Sequence, residues 1–286
     1  MTKNVILAAI GRLPQDLAVL ERAVEVSTSS RSDLQVVHVL DLDGHAANLD
    51  DTTTFLGLAA SATRDRVEAA LAKLGADPST IKIHIKLGAH ALALIDLCKD
   101  LSPKLVVMRA HQGMKITKKL LGSTTDRVIA GAQTPVLVVK QPVTDRYRRA
   151  VLATNGADNA LDKLNFVSNL LPDTKLQLVQ AVQIPPQLKE AMLRVGSRKA
   201  ELAAHQSKLI QSAEDHLRDL AGKEGPRVTS QVLTGDPAKT LTRLCREQGV
   251  DLIALGQGRS SLISRAFIGS VSRRLLRDAA CDVIVY

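Results

Sequence analysis

The sequence predicts an α/β fold built twice: two tandem doubly wound domains, each a five-stranded parallel sheet ordered 3-2-1-4-5 and flanked by helices. Three observations point there. The chain repeats itself at a nearly fixed offset, each half carries five short apolar runs rich in β-branched residues, and helical patterns separate those runs.

The repeat comes first. Residues 91–109 (ALALIDLCKDLSPKLVVMR) align with 238–256 (AKTLTRLCREQGVDLIALG) at an offset of 147 residues. Ala91/Ala238, Leu94/Leu241, Leu97/Leu244, Cys98/Cys245 and Leu105/Leu252 match, and the same offset pairs Gly88 with Gly235. It also pairs Gly122-Ser123 with Gly269-Ser270 and PVLVV (135–139) with DVIVY (282–286). Earlier the offset drifts, so that LQVVHVL (34–40) pairs with LQLVQAV (176–182), and Ile10-Gly11 with Asn155-Gly156. A gapless match across 91–139 marks a duplication, with domains expected at 1–143 and 144–286.

The strands follow from the runs. In the first half they are 4–10, 34–40, 81–87, 104–109 and 135–139; in the second, 149–154, 176–182, 227–233, 251–256 and 282–286. Most are continuously apolar, as strands covered on both faces must be. The third differs: Ile81, Ile83, Ile85 and Leu87 alternate with Lys82, His84 and Lys86, so it is expected at an edge, where lysines discourage pairing with another chain. With strands 1 and 4 adjacent, a ligand cleft opens at their C-terminal ends. Between strands, Leu188, Met192, Val195, Leu202, Leu209, Ala213, Leu217 and Leu220 recur at helical spacing on one expected face. Gly196 interrupts that segment and predicts an elbow, either ordinary sheet packing or a flap over the cleft or a partner.

Composition narrows the function. Of 286 residues only 2% are aromatic and none is Trp, which argues against base-stacking platforms for single-stranded nucleic acid. The net charge of +9 is spread over both halves, with 17 Lys and Arg against 14 Asp and Glu up to residue 143 and 21 against 15 after it. That is a solvated surface or a weak anion-seeking one, not a basic tail. Cys98, Cys245 and Cys281 form no CxxC pair, which suits a reducing cytoplasm and buried structural thiols. No apolar stretch is long enough to span a bilayer, and the N-terminal run reads as a first strand.

The cleft residues carry a resemblance. In the second half strand 1 ends Asn155-Gly156, and strand 4 runs into Gly256-Gln-Gly-Arg259, nine residues, then Gly269-Ser270. In the first half the same places hold Ile10-Gly11, Arg109-Ala-His-Gln112, nine residues and Gly122-Ser123. This framework resembles the universal stress protein domain, whose strand 1 ends I-L-V-x-V-D-G and whose strand 4 is followed by G-x2-G-x9-G-[ST]. In nucleotide-binding members of that family the Asp contacts adenosine, and the glycines and Ser/Thr hold ribose and phosphates. The resemblance implies a nucleotide site formed by Asn155, Gly156, Gly256, Arg259, Gly269 and Ser270. It implies a degenerate one in the first half. There the Ile10 side chain cannot accept a hydrogen bond from adenosine, and Arg109 and Gln112 fill space that phosphate or ribose needs. Arg259 either fills its pocket or pairs with phosphate. Ser270 has a bland alternative as a helix cap. The resemblance also implies pairing through the last strand, so the runs 135–139 and 282–286 are expected to meet and make the two halves an intramolecular pseudo-dimer, with further homodimerisation open.

Other chemistry finds little support. His38, His45, His84, His90, His111, His205 and His216 are scattered, and His205 and His216, on one helical segment, are eleven apart, so no metal site is expected. There is no Gly-x-Ser-x-Gly, no Walker loop and no base linked to Ser123 or Ser270, so no catalytic residue is assigned. Lys115, Lys118, Lys119 and Arg109 gather near the first cleft, and Arg259, Arg265, Arg273, Arg274 and Arg277 near the second. They mark a solvated helix face, a small anionic ligand or an acidic protein partner; no nucleic-acid motif accompanies them. The expected function is a non-enzymatic stress-response or regulatory protein in the cytoplasm, acting through protein contacts or a small ligand. The alternative is a sensor that binds ATP or another adenine nucleotide in the second domain only.

Overall fold

The fold is described from a computed structural model covering residues 4–41, 49–110, 123–156, 159–196, 198–224, 227–247, 249–256 and 268–286. Among these residues two compact units separate. One takes the chain up to Arg146 together with Asp282–Tyr286; the other takes Tyr147–Gly256 and Ser270–Cys281.

The first unit alternates strand and helix: β1 (Val5–Ile10), α1 (Leu17–Ser29), β2 (Asp33–Leu40), α2 (Phe55–Lys73), β3 (Lys82–Leu87), α3 (His90–Leu101), β4 (Leu105–Arg109), α4 (Ser123–Gly131) and β5 (Val136–Val139). Its strands are parallel in the order 3-2-1-4-5, as the sequence predicts. The central strands are buried on both faces: Ile6, Leu7, Val106, Val107 and Leu137 have no exposed surface. Strand β3 is the edge, and there only Ile85 is buried. His84 Nε2 reaches Gln35 Oε1 of β2 at 2.7 Å, so the polar face of that strand is internally paired.

The second unit repeats the plan with β6 (Arg149–Thr154), α5 (Ala160–Leu170), β7 (Lys175–Val182), α6 (Pro186–Arg194), α7 (Lys199–Glu224), β8 (Val228–Thr234), α8 (Pro237–Glu247), β9 (Leu252–Leu255) and α9 (Ser270–Asp278). Its strands are parallel in the order β8-β7-β6-β9. The last strand, β10 (Asp282–Val285), belongs to the first unit and runs antiparallel to β5. The two runs expected to meet, 135–139 and 282–286, therefore do pair.

Equivalent residues do equivalent work. Ala91, Leu94, Leu97 and Cys98 form the buried face of α3, and Ala238, Leu241, Leu244 and Cys245 that of α8. All three cysteines are buried free thiols, and burial pushes the Cys98 thiol up to about 11. One expected face does not hold. Ala213, Leu217 and Leu220 of α7 are buried, but Leu188 is 44% exposed and Val195 82%. Gly196 is the reason: its φ of +84° ends α6, which then contributes no buried residue and does not continue the packed face of α7.

Candidate functional site

In each unit strands 1 and 4 lie side by side, with Ala9 opposite Met108 in the first and Ala153 opposite Leu255 in the second. Their C-terminal ends are where the sequence places the cleft. A shared tether fixes the following helix. Thr125 Oγ1 of α4 donates to the Arg109 carbonyl at 3.4 Å, and Ser272 Oγ of α9, 147 residues on, donates to the Gly256 carbonyl at 2.8 Å. Ser123 and Ser270 are the first residues of these helices.

The first cleft is occupied by the chain itself. Ile10 is buried, and its carbonyl accepts from His38 Nδ1 at 3.1 Å. The next two backbone N–H groups, of Gly11 and Arg12, donate to Asp16 Oδ2 at 2.7 and 2.9 Å. From the end of β4, Arg109 Nη1 donates to the Gln15 carbonyl at 3.0 Å and lies 3.6 Å from Asp16 Oδ1. A carboxylate thus takes two backbone donors that would otherwise face the cleft, and a guanidinium spans from β4 to the loop after β1. Asp16 was not singled out from the sequence. Its one available signal is its place just before an apolar helical pattern, where Asp serves backbone N–H groups. Burial, chiefly, holds His38 below the usual histidine range; the Ile10 carbonyl opposes this, His90 adds to it and Asp16 opposes it. The His38 ring is therefore neutral near pH 7.

The second cleft is built differently. Asn155 and Gly156 follow β6 and are exposed. Gly156 has φ +80°, and its N–H donates to Thr154 Oγ1 at 3.1 Å. Gln180, at the end of β7 where β2 has His38, lies against this turn: a Cβ on Gly156 would come within 3.2 Å of its Nε2. The Gln180 Oε1 is buried and meets no hydrogen-bond donor among the described residues. Gly256 follows β9, and Gly269 precedes α9. No counterpart of the Arg109–Asp16 bridge can form from Gly256, which has no side chain.

Arg259, Gln112, Gly122, His45, His111, Lys115, Lys118, Lys119 and Arg265 lie outside the described residues. Of the remaining basic residues on α9, Arg274 and Arg277 both approach Asp278, at 3.5 and 2.9 Å, so part of that charge is balanced internally. Among the described residues no three His, Cys, Asp or Glu side chains gather as a metal site, and no helix is long and apolar enough to cross a membrane.

Two doubly wound units with a strand-1/strand-4 cleft define a tandem α/β protein of the kind that places small ligands at strand ends. The model of the universal stress protein family matches residues 3–140 and again 146–286, and the chain belongs to that family. A universal stress protein of Methanocaldococcus jannaschii is 23% identical over 141 residues, which is 49% of this chain and 81% of the relative. One from Methanothermobacter thermautotrophicus is 30% identical over 101 residues, 35% of this chain and 62% of the relative. The crystal structure of a universal stress protein from Archaeoglobus fulgidus is similar in fold over 100% of this chain and 98% of its own, with TM-score 0.68 and 18% identity.

Proposed function

We propose that this protein is a non-enzymatic universal stress protein of the cytoplasm. It acts in stress response or regulation through protein contacts or a small ligand, with domains at 1–143 and 144–286. Its first cleft takes no nucleotide in the family manner. The observation that carries this reading is the Arg109–Asp16 bridge, with Asp16 seated on the Gly11 and Arg12 N–H groups. A phosphate or ribose entering there would have to displace an anion already held by two backbone N–H donors and faced by the Arg109 guanidinium.

A second reading is favoured by one observation in the other unit. Among the described residues the buried Gln180 Oε1 has no donor beside the exposed Asn155-Gly156 turn. An unpaired buried acceptor costs about 1–3 kcal/mol and is relieved by an N–H from outside. Adenine nucleotide binding by Asn155, Gly156, Gly256, Arg259, Gly269 and Ser270 fits that need. Calorimetric titration with ATP, beside an Asn155→Ala/Ser270→Ala variant, separates the two. No saturable binding at millimolar ATP supports the first reading. Saturable binding at one site per chain, lost in the variant, establishes the second.

A further inference from the structure

Strand β10 lies on β5 with Val283 opposite Val138, Ile284 opposite Leu137 and Val285 opposite Val136. All six side chains are fully buried, and all are aliphatic. Such a pairing carries almost no information about its partner, because a second β5 would present the same kind of surface. The information sits one residue earlier, at Asp282, which is 1% exposed.

Asp282 Oδ1 accepts from the backbone N–H groups of Lys140 at 2.7 Å and Gln141 at 3.3 Å, just past β5. Its Oδ2 lies 3.3 Å from Arg22 Nε of α1. Arg22 is itself buried, and its Nη1 donates to Glu25 Oε2 at 2.6 Å and to the Asp145 carbonyl at 2.7 Å. One guanidinium and two carboxylates thus tie together α1, the segment after β5 and the first residue of β10. The repeat offers no second copy of this contact: the offset of 147 that aligns β10 with β5 puts Pro135 where Asp282 stands. Proline has no carboxylate to offer.

We propose that the Arg22–Asp282 contact is a pairing-specificity element: it makes the edge of β5 accept the chain's own β10 and reject the β5 of a second copy. In a β5–β5 pairing of the same register Pro135 replaces Asp282, and the buried Arg22 loses a carboxylate. Removing one partner of a buried ion pair is strongly unfavourable, whereas replacing both with apolar groups is often neutral. Selecting one pairing among similar apolar ones is the best-attested use of such a contact. Without it, the edge becomes a self-association surface for another copy of this chain.

The test compares wild type with Asp282→Asn, Arg22→Met and the double variant Arg22→Met/Asp282→Leu. The full-length chains are measured by sedimentation velocity over a range of concentrations. In parallel, each carries cysteines at Leu137 and Ile284, whose disulfide reports which strands meet: Leu137 lies opposite Ile284 in the chain's own pairing and opposite the second copy's Leu137 in a β5–β5 pairing of the same register. Arg22→Met lowers the folded-to-unfolded ratio by on the order of 100-fold or more. The double variant removes both charges of the Arg22–Asp282 pair and leaves the Glu25 carboxylate, so its fold is first verified by circular dichroism and a cooperative denaturation curve. The expected result is an intramolecular cross-link in wild type that shifts to intermolecular in the double variant, with a concentration-dependent rise in mass above wild type. An intramolecular cross-link and wild-type mass in the double variant would overturn the proposal. Neither readout depends on nucleotide binding.

Discussion

Replacing Asp16 by Ala removes the acceptor that holds the loop after β1. Two bonds are lost, from the Gly11 N–H at 2.7 Å and the Arg12 N–H at 2.9 Å. Hydrogen bonds to a charged group are worth about 1.5–3 kcal/mol each, but these lie at the surface, where water takes over as acceptor, so about 0.5–1 kcal/mol each is the appropriate scale. The contact with Arg109 is 3.6 Å long and its side chain is 46% exposed, so screening leaves it at most about 0.5 kcal/mol. The sum is about 1–2.5 kcal/mol, which corresponds to roughly 5–70-fold in a local opening equilibrium. Hydrogen–deuterium exchange of a peptide spanning residues 11–16 reads this directly. Exchange accelerates by that factor in Asp16→Ala and by less, about 2–10-fold, in Arg109→Ala, which loses one hydrogen bond to the Gln15 carbonyl and the screened ion pair. A larger effect in Arg109→Ala than in Asp16→Ala would refute the reasoning, since it would make the guanidinium rather than the carboxylate the element that holds the loop.

Three further outcomes follow from the same geometry. Gly156→Ala costs about 1–2 kcal/mol for its left-handed φ and in addition crowds Gln180 at 3.2 Å; Gly196→Ala, with a similar φ but nothing within 4 Å, costs only the backbone part, as paired denaturation curves would show. Leu217→Ala empties fully buried volume and lowers stability by about 2–5 kcal/mol, while Val195→Ala, 82% exposed, stays within about 0.5 kcal/mol; equal effects would put α6 and α7 on one packed face after all. His38, held below the usual histidine range by burial, binds fewer protons folded than unfolded. Its contribution is present above the unfolded value of 6.5 and is lost as pH falls through the folded one. His38→Gln therefore flattens the decline in stability on acidification below about pH 6.5, while His84, shifted the same way by burial and by Lys82 and Lys86, keeps its own share.

The framework was legible because burial writes a period into the sequence. Continuous apolar runs gave the central strands, and the Ile–Lys–Ile–His–Ile–Lys alternation of 81–86 gave the edge. The repeat offset transferred whole helix faces, so that Leu94 and Leu241 could be paired before either was placed. Failure came where one residue changes direction. Gly196 marked the break within 188–220, but the helical spacing put Leu188 and Val195 on one face with Leu217, and only the positive φ at Gly196 takes α6 off that face. Cleft residues were legible as positions, such as Asn155, Gly156 and Arg109. Contacts were not: that Asp16 reaches back to Gly11, or that Arg22 meets Asp282 across 260 residues, depends on side-chain direction and tertiary approach, which no local pattern encodes.

A duplicated chain separates what the fold requires from what each copy has acquired. Contacts kept in both copies serve the architecture: the Thr125 and Ser272 tethers, and the buried Cys98 and Cys245. Two of the places where the copies differ are the strand-end clefts and the fifth strands. His38 braces the end of β1 where Gln180 leaves its acceptor unpaired beside Gly156, and Arg109 closes a cleft that Gly256 cannot close. Pro135 stands where Asp282 is buried against Arg22. Two identical copies would have identical clefts and interchangeable fifth strands, and would pair with one another across molecules as readily as within one. Divergence at these positions gives the copies different strand ends and, with the pairing proposed above, the β5 edge a single matching strand, so asymmetry is what fusing the copies makes useful.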